Sequence, residues 1–492
     1  MNVKMIFHTL GKILLLEAIL MLLPCIVCLV YKEYNHLLSF IIPMLILLGL
    51  GIISQIKKPE KNRIFAKEGF LIVGLSWIAL SIFGALPFVI SGMIPNYIEA
   101  LFETVSGFST TGSSIIPNVD VFYSGFKGVL FWRSLTHWIG GMGVLVFVLA
   151  ILPNSEGQNI YLIKAESTGA NVGKLVSKVK VTARILYVIY FVLTLILFLL
   201  LCFDPKMSVY DSFIHAFGTA GTGGFGVRSQ GIAYYSVYSQ IVIAVFMMLF
   251  GINFNMFYLL LIGKFRQVIK SEELRWYLGI ITIATIVVGI DIFLDASLMY
   301  SSIGEALKDS YFQISSIITT TGFATADFAK WSNLSRTILF LLMFVGGCAG
   351  STGGGLKVQR VIILIKSSFR ELNKIIHPRQ VKNIKFEGNK LDDDVVKGVT
   401  NYFAIIMIIF VIALFILSFD KSAAFNLEDN IVAVATCINN IGPGLSNIIG
   451  PMASFKPYND FSKITLTLLM LIGRLEIYPI LLIFNVKMWV NK

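Results

Sequence analysis

The chain has 492 residues, 56% of them hydrophobic and only 14% charged, with a mean hydropathy of +0.80. That much apolar surface excludes an ordinary soluble globule and points to an all-α polytopic membrane protein. The net charge of +12 sits in short loops between apolar runs, the positive-inside pattern, rather than on a basic face with aromatic platforms, so no nucleic-acid partner is expected.

Runs long enough to cross a bilayer, about 20 residues each, fall at 11–30, 37–54, 69–92, 125–152, 182–203, 235–262, 276–296, 333–365, 398–419 and 462–486. The first follows Lys4 and Lys12 and is not followed by a small-residue cleavage pattern, so it reads as a retained helix. Residues 1–60 then form a two-helix region ahead of everything else. The basic loops carry Lys57, Lys58, Lys61, Arg63 and Lys67, then Lys164, Lys174, Lys178, Lys180 and Arg184, then Lys264, Arg266, Lys270 and Arg275. The longest carries Lys366, Arg370, Lys374, Arg379, Lys382, Lys385, Lys390 and Lys397. Their charge puts these loops and both termini in the cytoplasm. Cys25, Cys28, Cys202, Cys348 and Cys437 are scattered. The pair at 25 and 28 lies in an apolar run without further ligands, so these cysteines read as packing residues.

Four shorter apolar stretches lie between the later runs: Ile98 to Phe108, Val209 to Phe217, Ile303 to Ile318 and Asn426 to Ile438. Each is too short to cross and fits a re-entrant half-helix. Each leads into a small polar signal: Ser109-Thr110-Thr111-Gly112, Gly221-Thr222-Gly223-Gly224-Phe225, Thr319-Thr320-Thr321-Gly322-Phe323 and Asn439-Asn440-Ile441-Gly442-Pro443. With Gly112, Gly223, Gly322 and Gly442 as markers, the unit of long helix, half-helix, glycine loop and long helix recurs every roughly 110 residues. The units are 61–165, 166–270, 271–390 and 391–492. Each begins and ends on the basic side, so all four run parallel. Four parallel units imply pseudo-fourfold symmetry about one central axis.

Irregular backbone in the hydrocarbon core is tolerated only where it is buried in protein or lines a watery path. Glycine lets successive carbonyls point one way, and threonine adds hydroxyl oxygens. A ring of such neutral oxygens replaces the hydration shell of a small monovalent cation, whereas divalent ions recruit carboxylates. The candidate ion ligands are therefore Thr110, Thr111, Gly112, Thr222, Gly223, Thr320, Thr321, Gly322, Asn440, Ile441 and Gly442, the carbonyls beside the glycines above all. Acids recur near the half-helix starts: Glu99, Glu103, Asp211, Glu305, Asp309, Glu428 and Asp429. An acid there suits the helix dipole, with attraction of external cations as an additional role.

A second glycine-rich run, Gly346-Gly347-Cys348-Ala349-Gly350-Ser351-Thr352-Gly353-Gly354-Gly355-Leu356-Lys357, interrupts the eighth apolar stretch. Each glycine costs about 1 kcal/mol in a helix interior, so no continuous helix survives there. Its position below the four signals suits a gate formed by Gly346, Gly347, Gly350, Ser351, Thr352, Gly353, Gly354, Gly355 and Lys357. It is not a phosphate loop, because Val358 follows the lysine and no strand precedes it. Arg474 lies inside the last run, where a charge costs about 2.5–3.5 kcal/mol. It is expected to face inward and pair with an acid or with carbonyls of the glycine-rich loop. Glu476, two residues on, does not share its helix face. Arg133 and His137, near the start of the fourth span, read as interfacial or interhelical bonding groups.

The stretch Phe131-Trp132-Arg133-Ser134-Leu135-Thr136-His137-Trp138-Ile139-Gly140-Gly141-Met142-Gly143 carries a resemblance, together with the 346–357 loop, Asn440-Ile441-Gly442-Pro443-Gly444 and Gly473-Arg474-Leu475-Glu476. Through them the chain resembles the potassium transporter superfamily of the TrkH, KtrB and HKT types. The two extra initial helices favour the TrkH type. The resemblance implies four M1-P-M2 repeats around one pore and a homodimer in which each protomer has its own pore. It implies filter glycines at Gly112, Gly223, Gly322 and Gly442, an intramembrane gating loop at 346–357, and a pore arginine at Arg474. It also implies potassium, with rubidium, as the transported ion, crossing a bacterial inner membrane for uptake. A cytosolic TrkA-like ring with nucleotide-binding domains is the implied partner. No nucleotide is expected on this chain, and no residue set supports catalysis. The alternative is an alternating-access symporter coupled to protons or sodium.

Overall fold

The computed structural model describes residues 2–56, 66–143, 179–298, 300–379, 383–422, 424–485 and 489. The basic residues Lys57, Lys58, Lys61, Arg63, Lys164, Lys174, Lys178 and Lys382, and residues 144–152 of the fourth expected span, lie outside them. Among the described residues the strands are limited to a two-residue hairpin, Lys385–Phe386 with Asn389–Lys390. Everything else regular is helix.

The N-terminal helices, Val3–Leu20 continued by Leu22–Val30, and Leu38–Ile56, pack on one another. They approach closely because Gly51 lacks a side chain. A Cβ there would meet Leu15, with the Gly11 carbonyl 3.1 Å away.

Four units follow, each with an outer helix, a half-helix and an inner helix. The first is Ala66–Gly84 with Leu86–Ile90, Tyr97–Phe108 and Lys127–Gly141. The second is Val179–Leu201, Val209–Ala220 and Val237–Phe250. The third is Glu272–Leu294, Ile303–Ile318 and Asn333–Val345, and the fourth is Asp393–Leu417, Leu427–Asn439 and Asp460–Arg474. The half-helices lie where the short apolar stretches predict them. Each starts on a side-chain cap. Asn96, Ser208 and Ser302 accept from the amides of Ile98, Asp211 and Glu305, and Asn426 with Asp429 closes a capping box.

The four half-helices also end alike. Thr110, Thr222, Thr320 and Asn440 take left-handed φ values of 56°, 53°, 59° and 56°. The next amide, of Thr111, Gly223, Thr321 and Ile441, bonds back to the carbonyl of Ser106, Gly218, Ser316 and Thr436 at 2.9, 2.9, 2.8 and 3.0 Å. This is the six-to-one bond of a helix end that reverses through a left-handed residue. Glycine or asparagine usually takes that place, and threonine, being branched at Cβ, is strained there. Three threonines held so mark loops that the rest of the fold over-determines.

The inner helices differ from the continuous spans expected. The run 235–262 breaks after Phe250 and turns by 92° into Phe254–Leu261. The run 462–486 stops at Arg474, reverses through Glu476 and Ile477 (φ 53° and 70°), and resumes as Tyr478–Ile483. The run 333–365 is interrupted at 346–357 as expected. Six described helices, or seven with the bent pair, are long and apolar enough to cross a membrane in one piece, and the fourth expected span lies partly outside the described residues. Hydropathy counts apolar residues and is blind to a break whose flanks are equally apolar.

The mouth-side ends of the inner helices share a device that ties each unit together. Asp204 Oδ2 accepts from the Ser236 and Ser239 hydroxyls at 2.5 and 2.6 Å. Asp291 Oδ2 accepts from the Ser332 hydroxyl and, at 2.5 Å, from the Ser335 hydroxyl. Asp420 Oδ2 accepts the Asn459 amide at 2.9 Å. In the first unit Glu33, from the N-terminal hairpin, takes this role on the amides of Lys127 and Gly128. An acid at a helix N-terminus satisfies orphan amides and the dipole together.

Candidate functional site: four loops and the chain beneath them

The four glycine loops close into a ring. A Cβ on Gly112 would lie 2.0 Å from the Gly223 carbonyl oxygen, and one on Gly224 would lie 2.1 Å from that of Thr321. One on Gly322 would lie 2.1 Å from the oxygen of Ile441, and one on Gly442 would lie 2.7 Å from that of Thr111. Unit one meets two, two meets three, three meets four, and four meets one. These glycines have φ of 81°, 77°, 83° and 106°. Both the close approach and the conformation exclude a side chain.

This geometry shifts the second loop by one residue. Its positive-φ glycine is Gly224, and Gly223 stands where Thr111, Thr321 and Ile441 stand. Gly224, not the Gly223 expected from the sequence, is therefore the counterpart of Gly112. Two adjacent glycines are indistinguishable by composition, and only the backbone separates them.

The candidate side chains are all buried, and several are engaged with protein. Thr111 Oγ1 lies 2.7 Å from Ser109 Oγ and accepts from Asn440 Nδ2 at 2.9 Å. Thr222 Oγ1 donates to the Gly221 carbonyl, and Thr321 Oγ1 lies 2.8 Å from Thr319 Oγ1. Thr320 Oγ1 accepts the Gly354 amide at 2.6 Å. Thr110 Oγ1 and Asn440 Oδ1 have no partner among the described residues. With most hydroxyls occupied, the carbonyls beside the glycines are the oxygens left to act together. The half-helix C-termini add their negative dipole ends at the same place.

The acids near the ring serve structure. Glu103 pairs with Arg133 at 2.6 Å, and Glu99 with Lys463 at 2.6 Å. Glu428 pairs with Arg336, Asp309 with Lys308 at 3.1 Å, and Asp211 accepts from the Tyr123 hydroxyl at 3.0 Å. Among the described residues no cluster of three His, Cys, Asp or Glu could hold a metal ion. A mouth cavity of about 120 Å3 opens on the ring, lined by Gly112, Gly224, Gly322 and Gly442 with Arg133 and Arg228 at its wall.

The 346–357 loop lies against the other side of the ring. A Cβ on Gly353 would be 2.8 Å from the Thr319 carbonyl, and one on Gly354 would be 2.6 Å from that of Asn439. The loop also heals the break in the second inner helix. Cys348 N donates to the Gly251 carbonyl at 2.9 Å, Phe254 N donates to that of Gly350 at 3.1 Å, and Thr352 Oγ1 donates to that of Phe250 at 3.2 Å. Groups freed by one interrupted helix are thus satisfied by another. Lys357 Nζ folds back onto the Gly353 carbonyl. Ser351 Oγ has no partner among the described residues.

Arg474 is buried and reaches inward, to the carbonyls of Thr352, Gly140 and Gly141 at 2.8, 2.5 and 2.7 Å. Of the two partners the sequence left open, it takes carbonyls. Counted from each inner helix N-cap, its equivalents in units one to three are Gly141, Gly251 and Gly347. Unit four thus carries a guanidinium where units one to three carry glycines, and those glycines are themselves closely packed, by Gly221 and Tyr190, by Tyr277 and Thr319, and by Ser351 and Gly251. Glu476 pairs with Arg360 at 2.6 Å.

Sequence reading passed over Glu273. Its Oε1 accepts the Ala349 amide at 2.7 Å and the Gln359 amide at 3.2 Å, pinning both sides of the loop. In sequence it is one of two acids in the first turn of Glu272–Leu294, where the dipole alone would explain it.

Four parallel units that bring neutral backbone oxygens to one axis at membrane depth, above an irregular loop that only protein burial can support, define a membrane ion-transport protein built around a pore. Residues 38–491 match the family described as TrkH, cation transport protein, and the chain belongs to that family. It is 33% identical to the Trk system potassium uptake protein TrkH of Salmonella typhimurium, over 99% of this chain and 100% of that one. It is 32% identical to the Trk system potassium uptake protein TrkG of Escherichia coli, over 99% of each. The crystal structure of the potassium transporter TrkH from Vibrio parahaemolyticus superimposes with a TM-score of 0.86 at 31% identity, covering 100% of both chains.

Proposed function

We propose that this chain is the potassium-translocating subunit of a bacterial uptake system, with rubidium as a second permeant ion. The observation that carries the reading is the closed ring: each glycine of one unit abuts the carbonyl beside the glycine of the next. Such oxygens suit a dehydrated monovalent cation, and the names of the relatives supply potassium. The carbonyls of Thr111, Gly223, Thr321 and Ile441 are the principal ligands in this reading. The loop at 346–357 gates the path, with Arg474 and Glu273 holding it under the ring. Permeation is channel-like. The chain acts as a homodimer in the inner membrane, with basic loops and termini in the cytoplasm, and a TrkA-like nucleotide-binding ring controls the gate. The relatives' Trk system names support the existence of such further components.

Tracer flux into proteoliposomes tests the proposal, comparing potassium, rubidium, sodium and lithium with and without a cytosolic partner. Potassium and rubidium should pass well ahead of sodium and lithium. Equal rates for all four ions would overturn the filter. A fixed stoichiometry with protons or sodium would replace the channel with a symporter.

A further inference from the structure

The second loop differs from the others at position 223, and the cause lies on a neighbouring helix. Position 223 is glycine where the other loops hold Thr111, Thr321 and Ile441. A Cβ built on Gly223 would lie 2.3 Å from both Cγ and Nδ1 of His137. The imidazole occupies the volume that a side chain at 223 would need.

His137 is itself the exception on its helix. Counted from the inner helix N-caps Phe126, Ser236, Ser332 and Asn459, its equivalents are Met247, Met343 and Met470. Three units therefore carry methionine at this place, and the loop of the next unit carries a side chain. At the junction of units one and two a histidine is matched with a glycine. The two departures from symmetry are one substitution in three dimensions.

The ring also makes bonds that methionine cannot. His137 is fully buried. Its Nδ1 lies 2.7 Å from the Gly107 carbonyl, in the last turn of the first half-helix. Its Nε2 accepts the Phe225 amide at 3.3 Å, one residue past Gly224. An acceptor at Nε2 and a carbonyl at Nδ1 define the neutral imidazole protonated on Nδ1. The Phe225 ring lies 4.1 Å from it, centroid to centroid. One side chain thus ties the end of half-helix one to loop two. It stands directly behind Gly223, whose carbonyl meets Gly112 in the ring.

We propose that His137 is the positioning residue of the second loop: a neutral, doubly hydrogen-bonded wedge that fixes the Gly223 carbonyl and so sets discrimination among monovalent cations. This rests on the reading of the four loops as a filter. A glycine loop without the wedge would have the freest backbone of the four. With it, loop two is held as tightly as its threonine-bearing neighbours.

The test uses the full chain in proteoliposomes, with rubidium and sodium as tracers and the ratio of their fluxes as the readout. Wild type, H137M, H137Q, G223T and H137M/G223T are compared, each checked for a monodisperse, folded state. H137M should lower the rubidium-to-sodium ratio by about tenfold, through loss of both bonds. H137Q, whose amide keeps a donor and an acceptor, should retain most of the ratio. G223T should lose discrimination, and H137M/G223T should regain part of it, because methionine with a side-chain-bearing loop is what the other junctions carry. A wild-type ratio in folded H137M overturns the proposal, as does an H137Q ratio as low as that of H137M. If H137M does not fold, a double variant no better than G223T alone overturns it equally. Wild type that fails to distinguish rubidium from sodium would instead remove the filter reading itself.

Discussion

The Arg474 guanidinium donates to the Thr352 carbonyl at 2.8 Å, joining the last inner helix to the loop beneath the ring. The same group holds the Gly140 and Gly141 carbonyls at the end of the first inner helix. Removing it leaves three buried acceptors without that donor, at about 1–3 kcal/mol for each one left unmade. R474A should therefore loosen the loop and raise basal rubidium flux several-fold in the absence of any partner. R474K should fall between, because an ammonium lacks the planar fork that reaches two elements at once. Unchanged flux in folded R474A would remove this role.

Glu273 gives a second handle on the same loop from the opposite side. E273A deletes the acceptor of the Ala349 and Gln359 amides. Those two amides should then exchange with deuterium faster than in wild type, while the loop amides of Thr111 and Thr321, bonded back to Ser106 and Ser316, stay protected. Basal flux should rise with it. E273Q keeps one carbonyl oxygen and should lie closer to wild type. Exchange that is equal at Ala349 in wild type and E273A would show that the contact does not restrain the loop.

Much of this arrangement was legible in the sequence because it rests on local rules. The half-helices are announced by short apolar stretches behind Asn96, Ser208, Ser302 and Asn426, residues that cap helices wherever they stand. Their fourfold recurrence announces the axis. What stayed hidden depends on neighbours distant in the chain. Gly223 and Gly224 are equivalent as letters; the folded backbone gives the positive φ to Gly224, two residues past the left-handed Thr222 as in the other loops, and His137, from another unit, occupies the side-chain volume of Gly223. The break after Phe250 is flanked by Leu249 and Ile252, so hydropathy runs straight through it. Glu33, Asp204 and Asp291 carry no local signal of their role, because Lys127, Ser236 and Ser332 meet them only in the folded chain.

The ring glycines make a graded series. A Cβ at Gly112, Gly224 or Gly322 meets a carbonyl oxygen at 2.0–2.1 Å, whereas at Gly442 the nearest atom is 2.7 Å away. Alanine at any of the four also pays about 1–2 kcal/mol for its left-handed backbone. G112A, G224A and G322A should therefore lower the rubidium-to-sodium ratio most, and G442A least. Flux ratios from folded variants check the order. A G442A effect as large as that of G224A would show that backbone strain, not the carbonyl contact, governs the ring.

The mouth-side aspartates predict a pH dependence of stability with a defined sign. Burial alone would raise the Asp204 carboxyl. The hydroxyls of Ser236 and Ser239 and the amides of Lys206 and Ser236 outweigh it and hold the group below its ordinary value. Asp420 behaves likewise: burial opposes ionisation, and Ser422, Ser462 and Asn459 reverse the balance. A carboxyl depressed in the folded state stabilises the fold fully above its unfolded pKa of about 3.9, and that contribution is lost as pH falls through the folded value. D204N should thus lower stability by about 1–3 kcal/mol at neutral pH, through loss of charged hydrogen bonds. Below about pH 4 the gap to wild type should close, as the native aspartate takes up its proton. Thermal unfolding of both proteins in detergent between pH 7 and pH 3 measures the gap. A difference that stays constant across that range would mean that the Asp204 contacts act through shape rather than charge.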